Sequence, residues 1–223
     1  MNTIIFLIIA LALPIALTIF IYFKTKLNIG IFILGLLTFF ISQILIRIPI
    51  LSYIAYLGFS YDNTLLKQVL LALSAGLVEV GADYIAFRFL IKKNTLGKSI
   101  VVGLAHGFCE NITLVALPVV ISLINGNFIN ISYLGSFERL FALLAHVAFA
   151  LFAFYAVKHK NLIYLIIGII LHGFSDLLIF ILPNIFTIEI GAAIVAILSF
   201  ITIIYIISKD TKINEYDDIN LFS

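Results

Sequence analysis

The sequence contains four pairs of ionisable side chains, each inside an apolar stretch and each spaced by four or seven residues. The pairs are Glu79 and Asp83, His106 and Glu110, Arg139 and His146, and His172 and Asp176. Residues four or seven apart project from the same face of a helix. A charged group at the centre of a bilayer costs about 2.5–3.5 kcal/mol on insertion scales, so such groups normally face a partner or a water-filled cavity. The spacing therefore predicts four helix faces directed at one polar site.

Histidine and carboxylate side chains in this combination can activate water. Two histidines and a carboxylate can hold a zinc ion with one open position, and a glutamate in a low-dielectric site can act as a general base near neutral pH. The same groups could relay protons in a transporter. The metalloprotease pattern His-Glu-x-x-His is absent, and Ser175 and Cys109, although close to the pairs, have no neighbouring pattern that marks a nucleophile.

The elements that must position these groups are membrane-spanning helices. The chain is 64% hydrophobic and 11% charged, whereas a globular domain is about 45–50% apolar and about 25% charged. A spanning helix needs roughly 20 apolar residues, and the sequence has seven such stretches, at 3–23, 29–50, 65–91, 99–124, 137–157, 162–182 and 188–207. We therefore predict an all-α polytopic membrane protein with about seven helices.

The candidate site lies within residues 65–182. The residues near the middle of its four helices are Glu79, Glu110, His146 and His172. The other three segments have no ionisable group near mid-span, so we interpret them as scaffold. Arg47 and Arg88 lie close to predicted helix ends, and we expect them to snorkel to the membrane surface.

Basic residues alternate between the two sides of the predicted bundle. The lysines of the loops after the first, third and fifth helices, and of the tail, are Lys24, Lys26, Lys92, Lys93, Lys98, Lys158, Lys160, Lys209 and Lys212. Positive residues stay in the cytoplasm, which predicts an outside N-terminus and a cytoplasmic C-terminus. We interpret 1–208 as one transmembrane domain in the cell membrane and 209–223 as a cytoplasmic tail; the bilayer is the expected partner, and nucleic acid is not.

This topology predicts opposite labelling of two single cysteines in intact cells. In a variant that lacks Cys109, a cysteine introduced as Asn127→Cys should react with an impermeant maleimide, because the loop 125–130 is expected outside. A cysteine introduced as Ser223→Cys should react only after the cells are opened. Labelling of the tail from outside intact cells would contradict the predicted orientation.

Four stretches resemble the motifs of the YhfC family of intramembrane proteases, in the same order and with one motif per helix. They are Gly76–Arg88 (GLVEVGADYIAFR), Gly103–Glu110 (GLAHGFCE), Glu138-Arg139 followed by His146, and His172–Asp176 (HGFSD). The YhfC family is in turn similar to the wider group of CAAX prenyl proteases and bacteriocin-processing enzymes, CPBP. The first motif departs from the usual Glu-Glu-x-x-Arg, because Val80 and Asp83 stand at its second Glu and its Arg.

The resemblance implies roles for individual residues. Glu79 would be the base for the attacking water, His146 and His172 would orient that water or stabilise the oxyanion, and Asp176 matches the Asn or Asp one turn after the last histidine. Glu110 is the alternative acid. The supporting residues are expected to be Asp83, His106, Glu138, Arg139 and Asp176, with Glu138 and Arg139 as a structural pair.

The leading expectation is an intramembrane peptidase that cleaves a membrane protein or a lipidated peptide. A glutamate-dependent enzyme without a cofactor is favoured, because no two histidines share one helix at metal-ligand spacing; the zinc alternative would use His106, His146 and His172. Two other classes stay open. One is a proton-linked transporter, and the other is a catalytically inactive binding or immunity protein, which Val80 and Asp83 would suit.

Overall fold

The computed structural model describes residues 29–58, 64–127 and 133–210, together with isolated positions between residues 5 and 20. These residues form six long helices and no strand. The helices are α1 (Ile29–Tyr56), α2 (Leu65–Leu90), α3 (Leu96–Ile124), α4 (Tyr133–Lys158), α5 (Leu162–Ile181) and α6 (Ile185–Lys209). All six are long and apolar enough to span a bilayer. The chain is therefore an all-α, multi-pass membrane protein, as predicted.

Two predicted segments lie outside this part of the chain. The segment 3–23 lies outside the described residues except for isolated positions, and so does 211–223 of the expected tail. The orientation of the termini stays a prediction.

Polar caps set where two helices begin. The Thr95 side chain accepts a hydrogen bond from the Lys98 backbone N–H, and the Asn184 side chain accepts one from Thr187 N–H. These caps satisfy backbone donors that have no partner inside the helix. As a result α3 and α6 each begin three residues earlier than the apolar stretches that predicted them at 99 and 188.

Two of the helices continue through a proline. A π-helical stretch, Phe40–Arg47, precedes Pro49 in α1, and another, Asn111–Ala116, precedes Pro118 in α3. Proline lacks an N–H donor and its ring collides with the carbonyl one turn back. A locally widened turn accommodates both effects, so α1 runs to Tyr56 instead of ending near residue 50.

Arg47 consequently lies inside α1, nine residues before its end, and the prediction that it snorkels to the surface was wrong. Its guanidinium donates to the Ser74 hydroxyl (3.0 Å) and to the Leu71 carbonyl (2.9 Å) of α2. It also donates to the Gln43 side chain on its own helix at 3.2 Å. Arg47 therefore ties α1 to α2.

The central helix of the bundle is α4. Every side chain from 145 to 156 is buried, and α4 packs against α2, α3, α5 and α6. A helix that is apolar on all sides is typical of such a central position. The outer helices direct leucine, isoleucine and phenylalanine side chains away from the bundle, as expected of surfaces that face lipid.

Glycines allow the helices around the site to approach closely. A Cβ atom at Gly103 of α3 would lie 2.6 Å from the His146 carbonyl oxygen and 2.7 Å from the Cα of Val147. Gly76 and Gly173 likewise lie at the α2–α5 contact. Small residues at such contacts are the usual means by which membrane helices pack.

We expect Gly103→Ala to destabilise the protein by about 1–3 kcal/mol, because the helices would be forced apart. Gly81→Ala is the matched control, since a Cβ there meets nothing within 4 Å. Thermal unfolding in detergent can be followed with a thiol-reactive dye, because Cys109 is the only cysteine of the chain and is 8% exposed. Equal midpoints for the two variants would contradict the prediction.

Candidate functional site

Helices α2 to α5 bring the predicted site residues into one buried layer. Glu79 and Asp83 project from α2, and His106 and Glu110 from α3. His146 projects from the middle of α4, and His172 and Asp176 from α5. None of the four pairs faces lipid; each contacts groups on a neighbouring helix.

His106 is held from both ring nitrogens. Its Nδ1 lies 3.1 Å from Asp83 Oδ1 and 3.0 Å from Thr38 Oγ1 of α1. The Thr38 hydroxyl donates to the Gly35 carbonyl at 2.8 Å, so its oxygen accepts from His106 Nδ1–H. With Nδ1–H donating to Asp83 and Thr38, Nε2 is directed at Glu79 Oε2, 3.2 Å away, and a hydrogen bond between these two atoms requires a proton on Nε2 as well.

His172 approaches the same glutamate from α5. Its Nε2 lies 3.0 Å from Glu79 Oε2, so Glu79 is held between two imidazoles and is only 4% exposed. The other ring nitrogen of His172, Nδ1, has no hydrogen-bond partner in the described part of the chain and lies 3.8 Å from Asp176 Oδ2.

Glu110 forms a second centre with α4. His146 Nε2 lies 2.6 Å from Glu110 Oε2, the short distance of a charge-assisted hydrogen bond. Arg139 donates to Glu110 at 3.5 Å and to the Asn111 side chain at 3.4 Å, and it is paired with Glu138. The predicted Glu138–Arg139 pair is therefore present and is attached to the site through Glu110.

The three histidine rings connect the two centres. The His106 and His146 rings stack with centroids 4.9 Å apart, and the His146 and His172 rings meet edge to face at 5.7 Å. Gly107 makes the stack possible, because a Cβ at this position would lie 2.9 Å from the His146 ring. The glycine that follows His106 is thus needed for packing.

A cavity of about 320 Å³ reaches this layer between α3, α4, α5 and α6. Its lining includes Glu110, Arg139, His146 and His172, whereas Glu79 and His106 lie behind it. Its remaining residues belong to the first half of α4, the last half of α5 and the first turns of α6. The cavity therefore extends towards the end of the bundle opposite the predicted lysine-rich side.

Two polar residues of the site were missed because their helices were interpreted as scaffold. Thr38 of α1 contacts His106, and Glu189 of α6 lines the cavity and is 7% exposed. The sequence did contain a signal for Glu189, a carboxylate inside an apolar stretch, but the segment boundary at 188 placed it at a helix end. In the structure it lies in the second turn of α6.

The described residues contain one group that could hold a metal ion. Ligand atoms of Glu79, His106 and His146 all lie within 4.8 Å of one another. The predicted zinc set of His106, His146 and His172 differs from this group in one member, since Glu79 takes the place of His172, whose Nε2 bonds to Glu79 Oε2; the set itself stays a prediction. Histidine spacing along one helix cannot reveal such a group, since its three residues come from three helices.

The fold and the site together define the class of protein. It is a multi-pass membrane protein with a histidine–carboxylate centre buried among its spanning helices. The family model of the YhfC intramembrane metalloproteases matches residues 9–132 and 128–204 of the chain, and the protein belongs to this family. No curated protein and no solved structure matches the chain.

Proposed function

We propose that the protein hydrolyses a peptide bond in a membrane-associated substrate, with Glu110 as the residue that accepts a proton from the attacking water. The observation that carries this proposal is the position of Glu110. Its side chain is 20% exposed and lines the cavity while bonded to His146. Glu79, which the family resemblance suggests as the base, lies behind the cavity between two histidines.

In the proposed reaction, water in the cavity attacks the scissile carbonyl carbon as Glu110 takes one of its protons. The carbon–nitrogen bond then breaks, and Glu110 returns the proton to the departing amine. General acid–base catalysis of this kind contributes about 10²–10⁴-fold in rate. The hydrogen bond from His146 fixes the orientation of the Glu110 carboxylate throughout.

Arg139 is the proposed oxyanion stabiliser. Its guanidinium lines the cavity beside Glu110 and offers five N–H donors in a fixed plane. A preorganised donor aimed at developing negative charge is typically worth about 10²–10³-fold in rate. Glu138 and Asn111 hold the guanidinium in place.

The donor set fits a divalent metal ion. Two histidines and a glutamate are the ligands of one type of catalytic zinc site, and a carboxylate on the far nitrogen of a ligating histidine is the common supporting contact. Asp83 and Thr38 make that contact with His106 and leave Nε2 directed at Glu79. Glu79, His106 and His146 would hold the ion, which would supply Lewis acidity towards a neighbouring oxygen.

The charge of the layer also favours a bound cation. Its described carboxylates include Glu79, Asp83, Glu110, Glu138 and Asp176, whereas its described arginines are Arg47 and Arg139. Excess negative charge in a low-dielectric interior is costly unless protons or a metal ion offset it. A zinc ion would offset two of these negative charges.

The two departures from the family motif leave the contacts of the centre in place, which argues against an inactive binding or immunity protein. Asp83 replaces the usual arginine and bonds to His106. Val80 is buried in the apolar core and packs against Gly168 of α5. The valine therefore does not replace any hydrogen bond of the histidine–carboxylate centre.

The test is hydrolysis by the purified protein in liposomes. A pool of transmembrane and lipidated peptides is incubated in H₂¹⁸O, and mass spectrometry should find new carboxyl termini that contain ¹⁸O. Products without ¹⁸O would indicate contaminating cleavage before the incubation. If no peptide is cleaved but the liposome interior acidifies under a proton gradient, the transporter class replaces the peptidase.

A further inference from the structure

A small residue of α4 lies between two polar residues of the site. Arg139, Ala142 and His146 are spaced by three and four residues, so they share one face of the helix, and all three line the cavity. Ala142 therefore lies between the proposed oxyanion stabiliser and the histidine that holds Glu110. Because alanine has no side-chain atom beyond Cβ, the cavity can extend along this face directly beside the proposed reacting groups.

Helix α6 contributes three apolar side chains to the same cavity. Ile185, Ile188 and Ala192 are also spaced by three and four residues, and all three line it. Glu189 lies on this face as well, is 7% exposed and has interactions of its own. Ala142 and Ala192 are both half-buried rather than part of the buried core. The two helices therefore place small and apolar side chains around a space that begins at the polar layer.

The mouth of the cavity is apolar. Ile179 of α5 and Ile185 of α6 line the cavity and are nevertheless 60% and 64% exposed, so they mark where it opens. Both lie close to the turn between α5 and α6. Exposed apolar side chains around an opening favour an apolar ligand group over a strongly hydrated one.

We infer that this space is a subsite for one large apolar side chain of the substrate, of the size of leucine or phenylalanine, next to the scissile peptide bond. The inference rests on the proposed peptidase function and deepens it, because it names the residues that select the cut bond: Ala142, Ile188 and Ala192. A cavity of about 320 Å³ is at the lower end of the range of ligand pockets. Such a cavity has room for the peptide group and one large side chain.

The expected preference follows from how well the space is filled. A large apolar side chain would displace water from apolar walls and contact both α4 and α6, whereas an alanine side chain would leave most of the space unfilled. One methylene group in an apolar enzyme pocket is typically worth about 10–200-fold in discrimination. Phenylalanine should therefore be favoured over alanine at this substrate position by about tenfold or more.

Binding of scanned peptides tests the inference separately from cleavage. The probe is a fluorescent transmembrane peptide with alanines at its centre and towards its ends, in which a single phenylalanine is moved one position at a time. Binding is measured on the Glu110→Gln protein in nanodiscs, and mass spectrometry checks that the probe stays intact. The unsubstituted protein then receives the same peptides in H₂¹⁸O, which locates the cut bond.

We expect phenylalanine to tighten binding by about tenfold or more at one or two positions, and the cut bond should lie next to one of them. Ala142→Leu and Ala192→Leu should each remove this preference and leave binding of the all-alanine peptide unchanged. Ile188→Ala enlarges the subsite, so tryptophan should then bind at least as tightly as phenylalanine, a gain that a misfolded protein cannot show. Ala193→Leu is the matched control, because Ala193 is half-buried on the same helix and is not among the residues that line the cavity.

Equal binding of alanine and phenylalanine at every position would overturn the inference. A preference that is unchanged in Ala142→Leu, Ala192→Leu and Ile188→Ala would also overturn it, and so would a cut bond remote from the preferred position. If phenylalanine peptides bind preferentially but the unsubstituted protein hydrolyses none of them, the proposed function fails while the apolar subsite is supported. If hydrolysis occurs without any such preference, only the inference fails.

Discussion

The Glu110→Gln variant is expected to lose about 10²–10⁴-fold in the rate of peptide hydrolysis while it stays folded and inserted. Glutamine has nearly the size of glutamate, and its carbonyl oxygen can still accept from His146. It cannot take a proton from water. The loss should appear in kcat, because the proton moves in the transition state and substrate binding does not require it.

Glu79→Gln is the informative comparison for this prediction. It changes the glutamate that the cavity does not reach and that is a proposed metal ligand, so a loss there should come with a lower metal content and with altered contacts to His106 and His172. Thiol-dye unfolding through Cys109 checks that both variants remain folded. If Glu79→Gln abolishes hydrolysis while its metal content is unchanged, and Glu110→Gln does not, the base is Glu79, as the family resemblance implied.

Removal of the His106 imidazole should remove the metal ion. We expect the unsubstituted protein to purify with zinc and His106→Ala to purify without it and to lose activity, because one of the three proposed protein ligands is gone. A chelator should inactivate the unsubstituted protein, and added zinc should restore it. Metal content by mass spectrometry is the direct measurement, and it does not depend on knowing the substrate.

Asp83→Asn should have a graded effect, a loss of about 10–100-fold in metal affinity, because it acts on the metal only through His106. His159→Ala is the matched control, since this fourth histidine pairs with Asp210 far from the layer, and its metal content should be unchanged. A metal-free, chelator-resistant protein that hydrolyses peptides would instead support the glutamate-dependent type.

Local features of the sequence were enough to predict the class of fold and most of the residues that meet in the buried layer. The length and hydropathy of the apolar stretches predicted α1 to α6, because a bilayer imposes a minimum length on every spanning helix. The four-residue and seven-residue spacings placed each pair on one face, because helix geometry is local. The cost of intramembrane charge then indicated that these faces meet.

Helix ends and the scaffold helices were less predictable. The caps at Thr95 and Asn184 and the widened turn before Pro49 depend on backbone hydrogen bonds, which hydropathy does not measure. Thr38 and Glu189 belong to segments without a polar face, so their membership of the site follows only from how α1 and α6 pack against it.

Tertiary structure alone decided which groups are partners. His106 and Glu110 share one face of α3, yet His106 turns to Glu79 and Asp83 of α2 while Glu110 bonds to His146 of α4. The choice depends on the rotation and separation of the helices, which are set by close approaches over glycines such as Gly103. A spacing rule describes one helix, whereas the candidate metal group and the cavity arise from several helices at once. This is why only the folded bundle shows that Glu110 lines the cavity and Glu79 does not.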